Sequence, residues 1–360
     1  MLSTSTLRRF WPVLPLSLLL LGCKPDKDVA EAFGDPTPLT LPRPAGWPAL
    51  QPMPADNPLT EEGVALGREL FYEKQLSIDG TVSCGSCHQQ SKAFTDGRAR
   101  ALGVNNQQHT RNTMSLANLA WQADFTWDGA NTELEQQARV PIENPIEMHQ
   151  TLAASVTKLE KISKYPQLFG KAFGSSTITE AGILKALAQF ERTLVSSDSK
   201  FDKWRRGETV LTQEEVLGLN LFRHNSTRSA ECEHCHTVEG AQFAGPRHTF
   251  FNNGLDPGPF TDRGRGGITG QTIDMGTFKA PSLRNVALTA PYMHDGRFQN
   301  LEQVLDHYSD HVQLNSPNLD PQLGTPVSLT AVEKRRIIAF LHTLTDTTFT
   351  KDPRFSEPRP

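Results

Sequence analysis

Apolar residues recur at helical spacing in four segments of this chain, whereas no strand-rich region stands out. Residues 61–71 and residues 212–222 share one pattern, in which acidic residues near the start are followed by Leu-Gly and then by Leu-Phe. In the other two segments the apolar residues fall on one helical face, with Ile183, Leu187, Phe190 and Leu194 in the first and Ile337, Phe340, Leu341 and Leu344 in the second. The pattern predicts a mainly α-helical fold.

Capping patterns mark where three of these helices begin. A Ser or Thr followed three residues later by Glu is the spacing of a capping box, in which each side chain bonds the backbone of the other residue. The pattern occurs as Thr177 with Glu180, Thr212 with Glu215, and Thr330 with Glu333. The shared pattern at 61–71 and 212–222 indicates that one helical module has been duplicated.

Cysteine usage identifies the chemistry of the modules. Residues 84–88 are Cys-Gly-Ser-Cys-His and residues 232–236 are Cys-Glu-His-Cys-His, and this pentapeptide is the attachment signal for c-type haem. A redox dithiol needs no following His, and a zinc site needs further closely spaced ligands. We therefore predict two covalent haem c groups, each with two thioether bonds and one proximal His ligand to the iron. The residues concerned are Cys84, Cys87 and His88 for the first haem, and Cys232, Cys235 and His236 for the second.

The length of 360 residues suits about two domains, and each would carry one haem. We predict two tandem cytochrome c-like haem domains, an N-terminal one at residues 58–205 and a C-terminal one at 206–348, followed by a tail at 349–360. The boundary falls in the polar and charged stretch 196–207. A formal net charge of −4 without charge blocks argues against nucleic acid as a partner.

The N-terminus has the pattern of a bacterial secretion signal. Two Arg precede an apolar run at residues 10–21 that is too short to span a bilayer, so residues 1–22 are predicted to be a signal peptide. The run ends in Leu-Leu-Gly-Cys, which resembles a lipobox in which Cys23 becomes the lipidated first residue. The alternative is ordinary signal cleavage nearby, with loss of Cys23.

A lipid anchor requires a spacer, and the next segment has the composition of one. Residues 23–57 are rich in Pro, which favours an extended, semi-rigid tether. Several acyl chains would hold the protein stably to a membrane. Because Lys24 stands where Asp would retain many lipoproteins at the inner membrane, we predict an outer-membrane lipoprotein on the periplasmic side.

The sixth ligand of each iron decides whether that haem can bind peroxide or only pass electrons. Sequence alone leaves this ligand open, since each candidate residue type is more often found in a core or at a surface. The candidates are Met148, Met275, Met293, His109, His294 and Tyr308.

Two further segments carry a family resemblance. Residues 278–296 read Phe-Lys-Ala-Pro-Ser-Leu-Arg-Asn-Val-Ala-Leu-Thr-Ala-Pro-Tyr-Met-His-Asp-Gly, and residues 125–129 read Phe-Thr-Trp-Asp-Gly. Together with both haem motifs, they resemble the dihaem bacterial cytochrome c peroxidase and MauG family. The resemblance extends over roughly residues 58–348. It implies a first haem at which hydrogen peroxide is cleaved and a second haem that exchanges electrons.

The resemblance also implies site residues. Trp127 matches the tryptophan that carries electrons between the haems, although by itself it is more often a core residue. Gln137, Pro141 and Glu147 match the residues of the first haem's distal pocket. Glu147 is the expected catalytic residue, because cleavage of the O–O bond requires a group that moves a proton between the two oxygens. Glu143 is the alternative catalytic residue.

Calcium is implied by the resemblance as well. Family members hold Ca²⁺ between the haems through an Asn side chain and backbone carbonyls, and the matching positions here are Asn112, Thr289 and Pro291. A hard cation with oxygen ligands suits these groups. The alternative role of Asn112 is to cap a turn.

The second haem separates the two branches of the family. In the cytochrome c peroxidases, a Met fourteen residues after the residue that matches His294 ligates the second iron. Here that position is Tyr308, as in MauG-like members. A phenolate is a hard donor that favours high oxidation states, whereas a thioether suits an electron reservoir. Met293 is the rival ligand.

Two departures from the family also bear on function. His109 lies closer to Asn112 than the His that plugs the first haem in peroxidases activated by reduction, so we expect the first haem to be open. Ala230 stands where the protein-oxidising member of the family has a surface Trp, which argues against long-range oxidation of a docked protein by that route.

The resemblance thus predicts a MauG-like dihaem peroxidase or oxidase that cleaves hydrogen peroxide. One alternative is a detoxifying cytochrome c peroxidase that takes electrons from a small cytochrome c or a cupredoxin. A second is a plain electron-transfer cytochrome, against which Gln137 and Glu147 argue because a six-coordinate carrier needs no proton relay. The partner would be one of these electron donors or an oxidised protein substrate.

Overall fold

The computed structural model describes residues 33–223, 229–238, 243–244 and 247–359, and over these residues the chain is mainly helical, as predicted. The α-helices are Glu61–Phe71 (α1), Cys84–Cys87 (α2), Leu134–Glu143 (α3), Leu152–Glu160 (α4), Lys164–Phe173 (α5), Glu180–Arg192 (α6), Lys200–Arg205 (α7), Gln213–Phe222 (α8), Gly266–Thr269 (α9), Leu301–Asp306 (α10) and Ala331–His342 (α11). Strands β1 (Phe250–Phe251) and β2 (Phe278–Lys279) pair antiparallel. Within these ranges no helix has both the length and the apolar character needed to cross a membrane.

In the part of the chain that the structure describes, short 3₁₀ turns and one π-helical turn connect these elements. The 3₁₀ turns are Lys74–Leu76, Gln90–Lys92, Val104–Asn106, Leu119–Trp121, Cys232–His234, Thr272–Asp274, Val286–Leu288, Pro321–Leu323 and Phe349–Lys351. The π-helical turn is His307–His311, directly after α10. Such turns are common at functional sites.

The duplicated sequence pattern corresponds to two equivalent helix pairs. Helix α1 packs on α6, and α8 packs on α11. At each crossing a glycine lets the backbones touch, because a Cβ on Gly67 would overlap the carbonyl oxygen of Ala186, and one on Gly218 would overlap that of Arg336. The Leu-Gly step of the repeat therefore marks a helix crossing.

Two of the three expected helix starts are confirmed. Thr212 with Glu215, and Thr330 with Glu333, form capping boxes at α8 and α11. The third expectation was wrong by two residues, because Thr179 caps α6 by accepting a hydrogen bond from the Gly182 amide at 3.0 Å. Thr177 lies before the helix.

The buried apolar residues form two main clusters. The first draws on residues 66–194 and on Phe349 and Phe355 of the C-terminal tail, and the second draws mostly on residues 201–344. The tail returns to the first cluster, where the Tyr72 hydroxyl donates to the Phe355 carbonyl at 2.6 Å. The division at residues 205 and 206 stays a prediction.

The prediction of an extended spacer at residues 23–57 is wrong for the part that the structure describes. Residues 33–57 are extended but packed: Trp47 is 6% exposed, stacks edge-on against Trp121 with ring centroids 4.9 Å apart, and lies under the Arg284 guanidinium. Burial of the apolar side chains in this segment outweighs the preference of a proline-rich sequence for an exposed, extended conformation. The signal peptide, Cys23 and the start of the tether lie outside the described residues.

The polar stretch 196–207 is folded into the core. It contains α7, whose Phe201 is fully buried and whose Asp202 forms a buried ion pair with Arg284. Its polar side chains serve a buried network, since Ser199 also bonds Asp202.

Candidate active site

Both Cys-x-x-Cys-His motifs line one cavity of about 1170 Å³. Pockets for a single small molecule are usually roughly 300–1,000 Å³, so this cavity has room for large ligands. Its wall includes all six residues that the sequence assigned to haem attachment.

The two motif histidines have the form that an iron ligand requires. His88 places Nδ1 2.8 Å from the Phe94 carbonyl oxygen, and His236 places Nδ1 3.1 Å from that of Phe243 and 3.0 Å from that of Pro281. A carbonyl only accepts, so Nδ1 carries the proton and Nε2 keeps its lone pair. Burial lowers the pKa of both rings, that of His236 to about 4, and so holds them neutral.

The four motif cysteines are free thiols in positions that suit covalent attachment. Cys84 and Cys87 begin and end the single turn α2. Cys232 begins the 3₁₀ turn 232–234, and Cys235 directly follows it. Each pair therefore shares one face. Burial raises the pKa of Cys87 and Cys235 to about 12. With the neutral imidazoles, this donor set fits two haem c groups.

Helix α3 brings two of the expected pocket residues together. Gln137 and Pro141 lie one turn apart, so they share a face, and both line the cavity. The Gln137 Oε1 accepts a hydrogen bond from Asn131 at 2.8 Å. Glu143 lies on the exposed side of α3, where it pairs with Arg139, and is outside the cavity wall.

Glu147 also lines the cavity and is held from several directions. Its Oε1 accepts from Asn144 Nδ2 at 2.7 Å and lies 3.0 Å from His109 Nε2. Its backbone oxygen accepts from the Val104 amide at 2.8 Å. The carboxylate therefore has a fixed orientation, and its contact with His109 was not foreseen.

Trp127 lies in the wall of the same cavity. Its Nε1 donates to the Asn112 carbonyl at 2.9 Å, and its own carbonyl accepts from the Lys279 amide at 2.8 Å. One bond from the indole and one from the backbone therefore connect Trp127 to segments from both halves of the chain.

The three positions expected to bind calcium all border the cavity. Asn112 uses its side-chain nitrogen to donate to the Arg98 carbonyl at 2.8 Å, which leaves Oδ1 as the side-chain atom for a cation. The Thr289 hydroxyl donates to the Val286 carbonyl at 3.2 Å. Over the described ranges, no three His, Cys, Asp or Glu side chains gather as a metal site. Calcium stays a prediction that depends on neutral oxygen ligands.

Both rival ligands of the second haem line the cavity. One amide joins them: Asn253 Nδ2 lies 3.2 Å from the Tyr308 hydroxyl and 3.5 Å from the Met293 sulfur. Tyr308 belongs to the π-helical turn after α10. Burial raises the pKa of its phenol, which therefore needs a cation to deprotonate it at neutral pH.

The other sixth-ligand candidates have different surroundings. Met148 is a buried residue of the first cluster, and His294 stacks on Phe278 with ring centroids 3.9 Å apart. Met275 accepts from Arg263 Nε at 3.4 Å and is not part of the cavity wall.

Sequence reasoning gave no role to several charged residues of the cavity wall, among them Arg111, Lys279 and Glu191. Arg111 forms ion pairs with Asp128 at 2.6 Å and Asp262 at 2.7 Å. Burial lowers the pKa of Lys279 to about 8 and raises that of Glu191 to about 8. The hydrogen-bond partners of Arg111 and Lys279 are distant in sequence, so no local pattern identifies these two residues.

Known proteins are similar to this chain over most of its length. Residues 61–210 match the family model described as di-haem cytochrome c peroxidase. The chain is 39% identical over 299 residues to the methylamine utilization protein MauG of Methylorubrum extorquens, covering 82% of each. It is 36% identical over 301 residues to cytochrome c551 peroxidase of Nitrosomonas europaea, covering 82% of this chain and 84% of the relative.

A solved structure shows the same fold. The crystal structure of a MauG-like protein associated with microbial copper homeostasis superposes with a TM-score of 0.81 at 38% identity, covering 88% of this chain and 98% of that one. The chain belongs to the dihaem cytochrome c peroxidase family and is a haem-dependent peroxidase with two c-type haems.

Proposed function

We propose that this protein is a MauG-like dihaem peroxidase or oxidase, which cleaves hydrogen peroxide at the haem of His88 and exchanges electrons through the haem of His236. The observation that carries the proposal is Tyr308, whose hydroxyl borders the cavity wall that contains Cys232 and Cys235. A phenolate ligand stabilises oxidised iron, whereas a thioether stabilises the reduced form.

The bound haems supply redox-active iron, one to bind peroxide and one to exchange electrons. Glu147 takes the proton from one oxygen of peroxide and gives it to the other oxygen, which leaves as water. Its fixed Oε1 contacts keep the carboxylate in one orientation, so little reorganisation is needed during transfer. Gln137 and Pro141 shape the wall beside it.

Trp127 carries electrons between the two halves of the site. Its indole lines the shared cavity, and its hydrogen bond to the Asn112 carbonyl holds the ring in place. Asn112 with the carbonyls of Thr289 and Pro291 holds Ca²⁺ nearby through oxygen ligands. The N-terminal domain is residues 58–205 and the C-terminal domain residues 206–348.

The site of action is the periplasmic face of the outer membrane, to which a lipid on Cys23 anchors the chain. Support comes from the lipobox-like ending of the apolar N-terminal run and from Lys24 after it. The partner is a small electron-transfer protein or a protein substrate.

A second candidate function is supported by Met293. Its sulfur shares the Asn253 amide with the Tyr308 hydroxyl, so it lies at the same part of the cavity wall. With Met293 as ligand, the second haem would be an electron reservoir and the protein a detoxifying cytochrome c peroxidase fed by a small cytochrome c or a cupredoxin.

Ligand substitution tests the choice. Tyr308→Phe should change the EPR and near-infrared spectra of the second haem, and Met293→Leu should leave them unchanged. Haem content measured for both variants controls for folding. The opposite result, with a change only in Met293→Leu, would establish the reservoir function.

A further inference from the structure

A second titratable side chain contacts the expected catalytic carboxylate. His109 Nε2 lies 3.0 Å from Glu147 Oε1, both side chains are 27% exposed, and both line the cavity. The two residues come from separate loops, one before Asn112 and one after α3. The contact joins the inside of the cavity to a partly exposed imidazole.

Two further residues act on this pair, Asn144 and Arg111. Asn144 donates to the same Oε1 of Glu147, so both side-chain donors that the described part of the chain offers this carboxylate reach one oxygen. The charged group beside His109 is Arg111, whose guanidinium is already paired with Asp128 and Asp262. Glu147 is therefore the main electrostatic partner of the imidazole.

Peroxide reduction has a proton requirement that Glu147 alone does not meet. The balanced reaction is H₂O₂ + 2H⁺ + 2e⁻ → 2H₂O. A relay by Glu147 moves a proton that peroxide already carries, so two further protons must enter from solvent in each turnover. The two electrons come from the donor of the proposed reaction.

We propose that His109 is a positioning residue that orients Glu147 and supplies it with protons from solvent. In each transfer the imidazolium N–H bond breaks, Glu147 gains the proton, and the neutral imidazole takes another from water. Glu147 then passes its proton to an oxygen of peroxide or of the product. This inference rests on the proposed peroxide cleavage at the first haem.

The titration of His109 supports this role. The hydrogen bond to Glu147 raises the pKa of His109, and burial opposes the rise. Because the imidazolium is thereby stabilised to higher pH than in a free imidazole, proton supply persists to that higher pH and is lost as pH rises through the raised pKa. The rate of peroxide reduction should therefore fall as the pH becomes alkaline.

The test compares His109→Gln with His248→Gln in the haem-loaded protein. His248 is a matched control, because its Nδ1 lies 2.8 Å from Asp124 Oδ1, its side chain is 65% exposed and it lies outside the cavity wall. Glutamine keeps a donor for the carboxylate but carries no exchangeable charge. The rate of complete peroxide reduction, with ascorbate and a redox mediator as the electron source, is followed against pH, with haem content and melting temperature as folding controls.

We expect His109→Gln to slow complete peroxide reduction by about 10-fold to 100-fold at neutral pH and to abolish the alkaline decline, with partial rescue by added imidazole. The His248→Gln profile should match that of the parent. In a Glu147→Gln background, the His109 change should have little further effect, because His109 acts through Glu147.

Two outcomes would overturn the proposal. One is an unchanged rate and pH profile in His109→Gln. The other is a change of the resting ferric EPR signal of the first haem in that variant, which would make His109 an iron ligand. If the parent requires prior reduction, the MauG-like assignment fails, yet the same comparison on half-reduced protein still tests His109.

Discussion

The orientation of the Glu147 carboxylate depends on two donors at one oxygen. Asn144 and His109 both reach Oε1, and the backbone of Glu147 is bonded to Val104. A group held in this way keeps its alignment with a bound substrate, as proton transfer requires. The amide of Gln would keep the shape but could not carry the proton.

Glu147→Gln should therefore leave both haems attached and slow peroxide cleavage by about 10²-fold or more. Single-turnover kinetics with peroxide measure the effect. Glu143→Gln is the matched control, because Glu143 is exposed on α3 and pairs with Arg139. Equal rates for the parent and the Glu147 variant would remove this residue from the mechanism.

Glu191 gives a second prediction at this scale. Burial raises its pKa to about 8, above the value in an unfolded chain, so between these values the folded state binds more protons. The free energy of unfolding should then decline as pH rises from about 5 to 8.

Glu191→Gln should remove much of this decline, making the variant more stable than the parent at pH 8 by about 1–3 kcal/mol and similar at pH 5. Urea unfolding at the two pH values measures the difference. Glu160→Gln, at an exposed position, should follow the parent. A parent whose stability does not depend on pH over this range would contradict the account.

Sequence reasoning found the residues that belong to local motifs but not those that depend on distant contacts. His88 and His236 were identified because each directly follows its Cys pair. Tyr308 was one of six candidate ligands, and only the family resemblance selected it. The pairing of His109 with Glu147 spans 38 positions, and nothing in either neighbourhood indicates the other.

At the scale of elements, the two equivalent helix crossings depend on glycine. Gly67 in α1 and Gly218 in α8 each touch the backbone of a partner helix, where a Cβ would overlap a carbonyl oxygen. Close-packed helices cannot absorb an extra methyl group without moving apart.

Gly218→Ala should therefore lower the free energy of unfolding by about 1–3 kcal/mol, although alanine has the higher helix propensity. Denaturant unfolding of the haem-loaded protein measures the change. Gly267→Ala in α9 is the control, because its Cβ would meet only Arg263 Cβ, at 3.7 Å. A Gly218 variant as stable as the parent would show that the crossing can relax.

The first residue of a helix was predictable where its N-cap residue lies directly before the apolar pattern. Thr212 and Thr330 both met this condition. Two threonines compete before α6, and spacing to Glu180 selected Thr177 although Thr179 precedes the helix. For residues 33–57, proline content predicted extension, but only tertiary contacts show that Trp47 is buried.

At the scale of the whole molecule, the C-terminal tail connects the end of the chain to the first haem motif. Phe349 and Phe355 belong to the first hydrophobic cluster, and Gln90, just after the motif, donates to the carbonyls of Phe349 and Asp352. The stability of the first half therefore depends on the last residues of the chain.

Phe355→Ala should destabilise the first cluster by about 3–5 kcal/mol, because it leaves a cavity beside Phe349 and Tyr72. Hydrogen exchange should accelerate in α1 more than in α11. Glu357→Gln, at an exposed position of the same tail, is the control. Equal acceleration in both helices would indicate general rather than local loosening.

The shared cavity was predictable only in part. Two motifs and a duplicated helix pattern indicated two haem modules, and the family resemblance implied a bridging Trp127. The sequence does not show that the tail crosses to the first cluster or that one cavity holds both motifs, because these features depend on how the halves pack.

The most direct test of the central claim is to add stoichiometric hydrogen peroxide to the purified all-ferric protein and follow its optical, near-infrared and EPR spectra. The account predicts rapid loss of both ferric signals without prior reduction, because the first haem is open and Tyr308 lets the second share the oxidising equivalents. An inert ferric protein that reacts only after the second haem is reduced would contradict the Tyr308 assignment and identify a reductively activated cytochrome c peroxidase.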